Sequence, residues 1–317
     1  MPSAIVAEHL GKVYRHSPPG VAALQDVSLE IPTGGVYGLI GRNGAGKTTF
    51  VRIAATQLAP TTGTMRILGH DIRTEERTIR SSIACVPQES RPLYFLRAEE
   101  VIYLYLKMRG LPPAEARRRT RDAMAELSLT EYGHRLVSRL SGGLRRRVMC
   151  AMVLASDAEI LFLDEPTTGL DPLARREVWD AIRRTSREHR TIVLTTHYLD
   201  EAEALSGRLA LIEQGHVRLE GTPAELRNRV RFPYRVTIQG AMPRAELEPY
   251  GDVAEIEGGF LVFTRETAAR ELAKEALERG VRLSMGPVSL EDVFLEVVGR
   301  AIDDQSLPTE EEAEEAS

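Results

Sequence analysis

Gly41-Arg42-Asn43-Gly44-Ala45-Gly46-Lys47-Thr48 decides how the first part of this chain is read, and Ser141-Gly142-Gly143 decides how that loop is used. The apolar run Val36-Tyr37-Gly38-Leu39-Ile40 enters the loop as a buried parallel strand would, and residues 48–55 continue with helical spacing. Strand, loop and helix in that order form the context that a phosphate-binding loop requires. The glycines let successive backbone N–H groups curl around phosphate oxygens with no Cβ in the way, above the positive end of the helix. Lys47 sets an ammonium against the β- and γ-phosphates, and the Thr48 hydroxyl is a candidate Mg2+ ligand. The expected nucleotide-binding positions are Gly41, Asn43, Gly44, Ala45, Gly46, Lys47, Thr48 and Thr49.

Ile160-Leu161-Phe162-Leu163-Asp164-Glu165 reads as a second buried strand that delivers two acids to the carboxyl edge of the sheet, where open α/β sheets bind ligands. Asp164 can hold Mg2+ there, directly or through a water. Alternation along the pleat sends Glu165 the other way, where it is placed to polarise an attacking water. His197 follows a third strand, residues 190–196, and so reaches the same edge. An imidazole there can bond the γ-phosphate or fix the water, although a histidine after a strand is more often a surface residue. Gln88, after residues 83–87, is either a sensor of Mg2+ and γ-phosphate or a polar loop residue. Gly142 and Gly143 open another helix, so their N–H groups and the Ser141 hydroxyl form a second anion site.

Taken in this order, the motifs resemble the nucleotide-binding domain of an ABC transporter over roughly residues 3–222. The resemblance makes residues 41–48 the Walker A loop, Gln88 the Q-loop, residues 140–143 the signature, and residues 160–165 Walker B. Gly169-Leu170-Asp171 matches the D-loop and His197 the switch histidine. It implies catalysis by Glu165, His197 and Lys47, metal contacts from Thr48, Gln88 and Asp164, and adenine stacked on Tyr14. The implied fold is an α/β P-loop ATPase with a RecA-like core, an antiparallel β subdomain and a helical subdomain at about residues 92–155.

The implied activity is hydrolysis of ATP with Mg2+. Two cassettes, a homodimer or a pair of different ones, would close around two nucleotides, each signature facing the γ-phosphate held by the other protomer. Closure would energise transport by a separate integral membrane subunit docked near residues 89–95, where Tyr94 and Phe95 are either exposed anchors or internal packing. Leu144 departs from the family's usual glutamine, which puts one polar contact across the interface in doubt. The C-terminal part resembles exporters of the daunorubicin/doxorubicin-resistance branch, which implies export of a drug-like or lipophilic compound.

A chain of 317 residues buries a large core and is expected to form two domains, 1–222 and 223–302, before an acidic, disordered tail at 303–317. Beyond residue 222, strands at 234–239, 253–256, 259–264 and 281–285 alternate with helices at 243–247 and 267–278. That βαββαβ order suggests a small ferredoxin-like α+β accessory module, followed by a helix at 289–299 capped by Ser289 and stopped by Gly299. The net charge of -5 gives nucleic acid no electrostatic invitation, and Arg145-Arg146-Arg147 reads as a solvated or phosphate-supporting helix face rather than a nucleic-acid patch. Cys85 and Cys150 read as buried thiols of a cytosolic protein. No apolar run is long enough to cross a bilayer and no signal peptide is visible, so the expected location is the cytoplasmic face of the membrane, held there through the partner. A soluble ATPase of translation or DNA repair would normally carry two cassettes, a long coiled coil or a zinc insertion. A nucleotide-sensing scaffold would tolerate loss of Glu165 or His197, and both are present.

Overall fold

Three short apolar strands sit side by side in the middle of a six-stranded sheet, and their parallel register is what assembles the site. The computed structural model describes residues 3–14, 20–86, 95–187, 189–240 and 242–294, and the chain divides into two compact units, Met1–Thr222 and Pro223–Ser317. Gln88, Tyr94, Gly299 and the tail at 303–317 lie outside the described residues.

The first unit begins with β1 (Ser3–Tyr14), β2 (Val21–Pro32), β3 (Gly35–Ile40), α1 (Lys47–Ala54), β4 (Thr62–Ile67) and β5 (His70–Asp71). It continues with α2 (Glu76–Ser82), β6 (Ile83–Val86), α3 (Ala98–Met108), α4 (Pro113–Glu126) and α5 (Gly142–Leu154). It ends with β7 (Ile160–Asp164), α6 (Pro172–Ser186), β8 (Thr191–Thr196), α7 (Leu199–Leu205), β9 (Arg208–Glu213) and β10 (His216–Gly221). One sheet runs β2-β1-β4-β5, all antiparallel, and the other runs β10-β9-β3-β8-β7-β6, parallel except for β10.

The six-stranded sheet is buried on both faces, which is why its central strands read as unbroken apolar runs. Ile160 and Phe162 of β7, with Tyr37 and Leu39 of β3, join the core shared with α1 and the antiparallel sheet. Leu161 and Leu163, with Ile192 and Leu194 of β8, face the core built by α3, α4, α5 and α6. Ile40 pairs with Thr196 and Asp164 with Thr195, so β3, β7 and β8 end level with one another. The helix ends follow their caps. Glu100 accepts the Arg97 N–H at the start of α3, and Asp171 accepts from Leu173 and Ala174 at the start of α6, where Pro172 takes the first position.

The second unit contains α8 (Pro223–Arg227), β11 (Tyr234–Gln239), α9 (Arg244–Leu247), β12 (Gly251–Ile256), β13 (Gly259–Thr264), α10 (Glu266–Glu278) and β14 (Arg282–Pro287). Its sheet is antiparallel in the order β12-β13-β11-β14, the arrangement of a ferredoxin-like βαββαβ module. Val236, Ile238 and Val262 pack there against Leu247 and against Ala269, Leu272 and Ala276 of α10. Ser289 and Asp292 then bond each other's backbone N–H reciprocally at the helical turn that starts at residue 290. Among the described residues no helix is long and apolar enough to cross a membrane.

Two buried groups make the fold testable. Glu201 of α7 is fully buried, and its Oε1 accepts from the Thr167 hydroxyl at 2.8 Å and the Trp179 indole N–H at 2.9 Å. Burial holds this carboxyl above the usual carboxylate range, against the opposing pull of the Thr196, Thr167 and Trp179 donors. The stability tied to its proton is therefore complete below the ordinary carboxylate pKa and is lost as pH rises through the folded value. The melting temperature of Glu201→Gln relative to wild type should accordingly be more favourable at pH 8 than at pH 5, and the same difference at both would contradict this.

Cys150 is fully buried and its thiol is pushed up to about 11 by that burial. Cys85 is only half-buried, less than the sequence suggested, yet burial and then the Asp164 charge push it up to about 12. At pH 8 neither is appreciably thiolate. A disulfide reagent should consume both thiols rapidly in denaturant and react far more slowly with the folded chain.

Candidate functional site

The loop after β3 is shaped by contacts that only glycine permits. A Cβ at Gly41 would stand 2.1 Å from the Ile212 carbonyl oxygen of β9. Gly46 has φ +112° and a Cβ there would meet the Ala23 carbonyl oxygen at 2.5 Å. No side chain caps the start of α1 at Gly46, and the positive end of a helix opened in this way suits a phosphate. Asn43 and Gly44 are exposed, whereas Ala45, Gly46, Lys47 and Thr49 are buried.

Lys47 folds back along the loop and donates to the carbonyl oxygens of Gly41 at 2.7 Å and Arg42 at 3.1 Å. Its ammonium lies 3.7 Å from Glu165 Oε1, with both side chains about 5% exposed or less. Burial lowers the Lys47 pKa, and the Glu165 and Asp164 carboxylates push it back up. Asp164 Oδ1 accepts from the Thr195 hydroxyl at 2.5 Å and from the Thr48 hydroxyl at 3.3 Å. Thr48 and Asp164 thus meet at the foot of the loop, the hydroxyl-and-carboxylate pair that suits a hard divalent cation also bound by phosphate.

Glu165 does not follow the pleat. Strand β7 ends at Asp164, and Glu165 takes the left-handed conformation with φ +49°. Its side chain therefore turns toward the loop instead of away from Asp164, correcting the expectation from strand alternation. Its N–H donates to the Thr195 carbonyl oxygen at 3.1 Å and the Thr195 hydroxyl at 3.0 Å. Its Oε2 accepts from Thr168 at 3.2 Å, while Oε1 lies 3.4 Å from His197 Nδ1. His197 is 29% exposed, so one side of the ring remains open to a ligand. Its ring centroid is 4.1 Å from that of Tyr198, and Arg175 lies over the Tyr198 ring at 4.3 Å. Lys47, Asp164, Glu165 and His197 are thereby brought together at one sheet edge.

Other expected residues sit apart from this cluster or at its margin. Tyr14 is half-buried beside the first turn of α1, its hydroxyl 3.4 Å from that of Thr49, with the Lys12 ammonium 5.6 Å from its ring centre. Ser141 caps α5 by accepting the Leu144 N–H at 3.2 Å. Ser141 and Gly142 are exposed and Gly143 is half-buried, so this helix opening faces outward. Leu144 packs against the helical core, which gives the apolar residue there a structural reason. Phe95 is 73% exposed and so is not internal packing.

Two of the three arginines in Arg145-Arg146-Arg147, expected on a solvated or phosphate-supporting face, reach inward to backbone oxygens. Arg146 Nη2 donates to the backbone oxygens of Asp164 and Glu165, and Arg147 donates to the Leu127 oxygen at 3.0 Å and to Glu177 at 2.5 Å. Arg146, Thr195 and Thr168 are the site residues that the sequence reading missed. Thr195 carried a weak signal, one of two adjacent hydroxyls that end the apolar run Ile192-Val193-Leu194, and Arg146 carried none beyond its place in a basic run.

A family model described as "ABC transporter" matches residues 24–168. The chain is 37% identical, over 98% of its length and 97% of the relative's, to the daunorubicin/doxorubicin resistance ATP-binding protein DrrA of Streptomyces peucetius. Among solved structures it is similar to an ATP-binding subunit of an ABC transporter, with a TM-score of 0.65 and 26% identity over 72% of this chain and 93% of that one. A dimeric ATP-binding cassette in a post-hydrolysis state, bound to ADP and Pi, shares the fold with a TM-score of 0.64 at 24% identity over 69% of this chain and 98% of that one. The match to the Streptomyces relative runs nearly end to end through both chains, and the chain belongs to the ATP-binding, ATP-hydrolysing subunits of ABC transporters, on the daunorubicin/doxorubicin-resistance branch.

Proposed function

We propose that ATP is bound by the Gly41–Thr49 segment and hydrolysed with Glu165 and His197 at the sheet edge. The observation that carries this reading is the convergence on Glu165 Oε1 of the Lys47 ammonium at 3.7 Å and the His197 ring nitrogen at 3.4 Å. Lys47, now turned toward carbonyl oxygens and Glu165, has a stronger acceptor in the β- and γ-phosphates and exchanges partners when they arrive. That exchange frees Glu165 to accept a hydrogen bond from the attacking water, while His197 holds the γ-phosphate or that water. Tyr14 stacks on the adenine, and Gln88 would act as the sensor of the metal or the γ-phosphate. Thr48 and Asp164 would hold Mg2+, which when bound neutralises phosphate charge.

The second anion site, Ser141, Gly142 and Gly143, faces outward and completes the site of another cassette. One chain with both halves of the site forms a homodimer with two equivalent nucleotides between its copies. ATP favours the closed dimer because only that state adds the signature contacts. Closure drives a separate integral membrane subunit at the cytoplasmic face of the membrane, with exposed Phe95 in its docking surface. Likeness to a daunorubicin/doxorubicin resistance protein supports export of a drug-like or lipophilic compound.

Glu165→Gln should keep ATP binding and accumulate dimers in Mg·ATP, seen by size-exclusion chromatography; a persistently monomeric profile counts against dimer closure. Lys47→Ala removes a charge-assisted contact and should weaken nucleotide binding roughly 10- to 100-fold in a titration. Unchanged affinity would remove the loop from the site.

A further inference from the structure

We infer that Arg146 is a positioning residue that ties the helix opening at Ser141 to the Glu165 peptide of the same chain, and so couples the two ATP sites of the dimer. The inference rests on the proposed reading of the site and adds a connection that the reading does not contain.

Arg146 lies five residues beyond the cap of α5, roughly 7.5 Å along the helix axis at 1.5 Å per residue. From there its Nη2 reaches the carbonyl oxygens of Asp164 and Glu165, the latter at 2.5 Å. These are the two peptides at which the chain leaves β7 and turns into the left-handed conformation of Glu165. The N–H side of that turn is held by Thr195 of β8, which belongs to the rigid sheet. The carbonyl side is held by Arg146, which belongs to α5. The direction of the Glu165 carboxylate therefore depends on where α5 stands.

Anchoring of the helix does not explain the contact. Val148, Cys150 and Ala151 of α5 are fully buried in the core, and Arg147 already pins the helix to the Leu127 oxygen and to Glu177. In the two-fold dimer, Ser141 of one copy serves the nucleotide held by its partner, whereas Arg146 of that copy serves its own Glu165. A γ-phosphate engaged at one site therefore bears on the catalytic carboxylate of the other, and by linkage the reverse also holds for binding.

The test is ATP hydrolysis by the full chain as a function of ATP concentration, read beside nucleotide Kd and melting temperature. Wild type should show a Hill coefficient above unity. Arg146→Met should lower kcat about tenfold and bring the Hill coefficient to unity, while Kd shifts by no more than about twofold and the melting temperature falls by only a few degrees, roughly the cost of the lost hydrogen bonds. Arg146→Lys keeps the charge without the planar fork and should recover part of both losses. The inference is overturned by a wild-type Hill coefficient of unity, by wild-type kcat and cooperativity in Arg146→Met, or by Kd and melting temperature falling in step with kcat. Should Arg146→Met fail to fold, Arg146→Lys is judged by the same criteria. Lys47→Ala separates the two ideas: wild-type nucleotide affinity there sinks the site reading itself. Loss of affinity there, with Arg146→Met behaving as wild type, sinks only the coupling.

Discussion

Lys47 and Glu165 bring opposite charges to within 3.7 Å in a place nearly closed to water, and the rest of the first unit is arranged around keeping them there. Removing either partner from such a pair leaves a buried, uncompensated charge, which is why buried pairs are seldom neutral features. Here the pair has a second use. In the proposed function it holds the lysine and the acid in place until a triphosphate offers the lysine a better partner. The pair exists because β3 and β7, each adjacent to β8, end level with one another. A one-residue slip in that register would reverse which side chains face which core.

The geometry of Glu165 shows how much backbone support one carboxylate needs. Its left-handed conformation is unfavourable for a residue with a Cβ, by about 1–2 kcal/mol. Hydrogen bonds from both neighbouring elements offset that cost, Thr195 accepting from the peptide N–H and Arg146 donating to the carbonyls. Thr195 also bonds Asp164, so a single hydroxyl group serves both acids at the strand end. Strain of this kind is found where a side chain must point in a direction that regular structure does not allow.

The second unit obeys a simpler logic. Its sheet covers one face with α10, and the apolar positions of β11 alternate accordingly, whereas β13 is apolar from Phe260 to Phe263 and gives Phe260 and Val262 to that core. Arg235, on the alternate phase of β11, bonds both oxygens of Asp292 at 3.1 Å, and Asp292 in turn caps the turn that begins at residue 290. That ion pair fixes where the chain leaves the sheet.

Much of this was legible in one dimension. The apolar runs of β3, β7 and β8, the glycine loop, the Asp171-Pro172 helix start and the four-strand pattern of the second unit are all local signals, set by backbone conformation and by periodic burial. Lys47, Asp164, Glu165 and His197 were legible too, because each directly follows or ends such a run. Three things were decided only by the folded chain: the turn of Glu165 toward Lys47, the inward reach of Arg146 and Arg147, and the role of Thr195. Each depends on hydrogen bonds between segments far apart along the chain. A run of arginines has the same polarity whether it faces water or caps the carbonyls of a distant strand end. Composition and period report how often a side chain is buried; they carry no record of which unpaired backbone group waits on the other side of the contact.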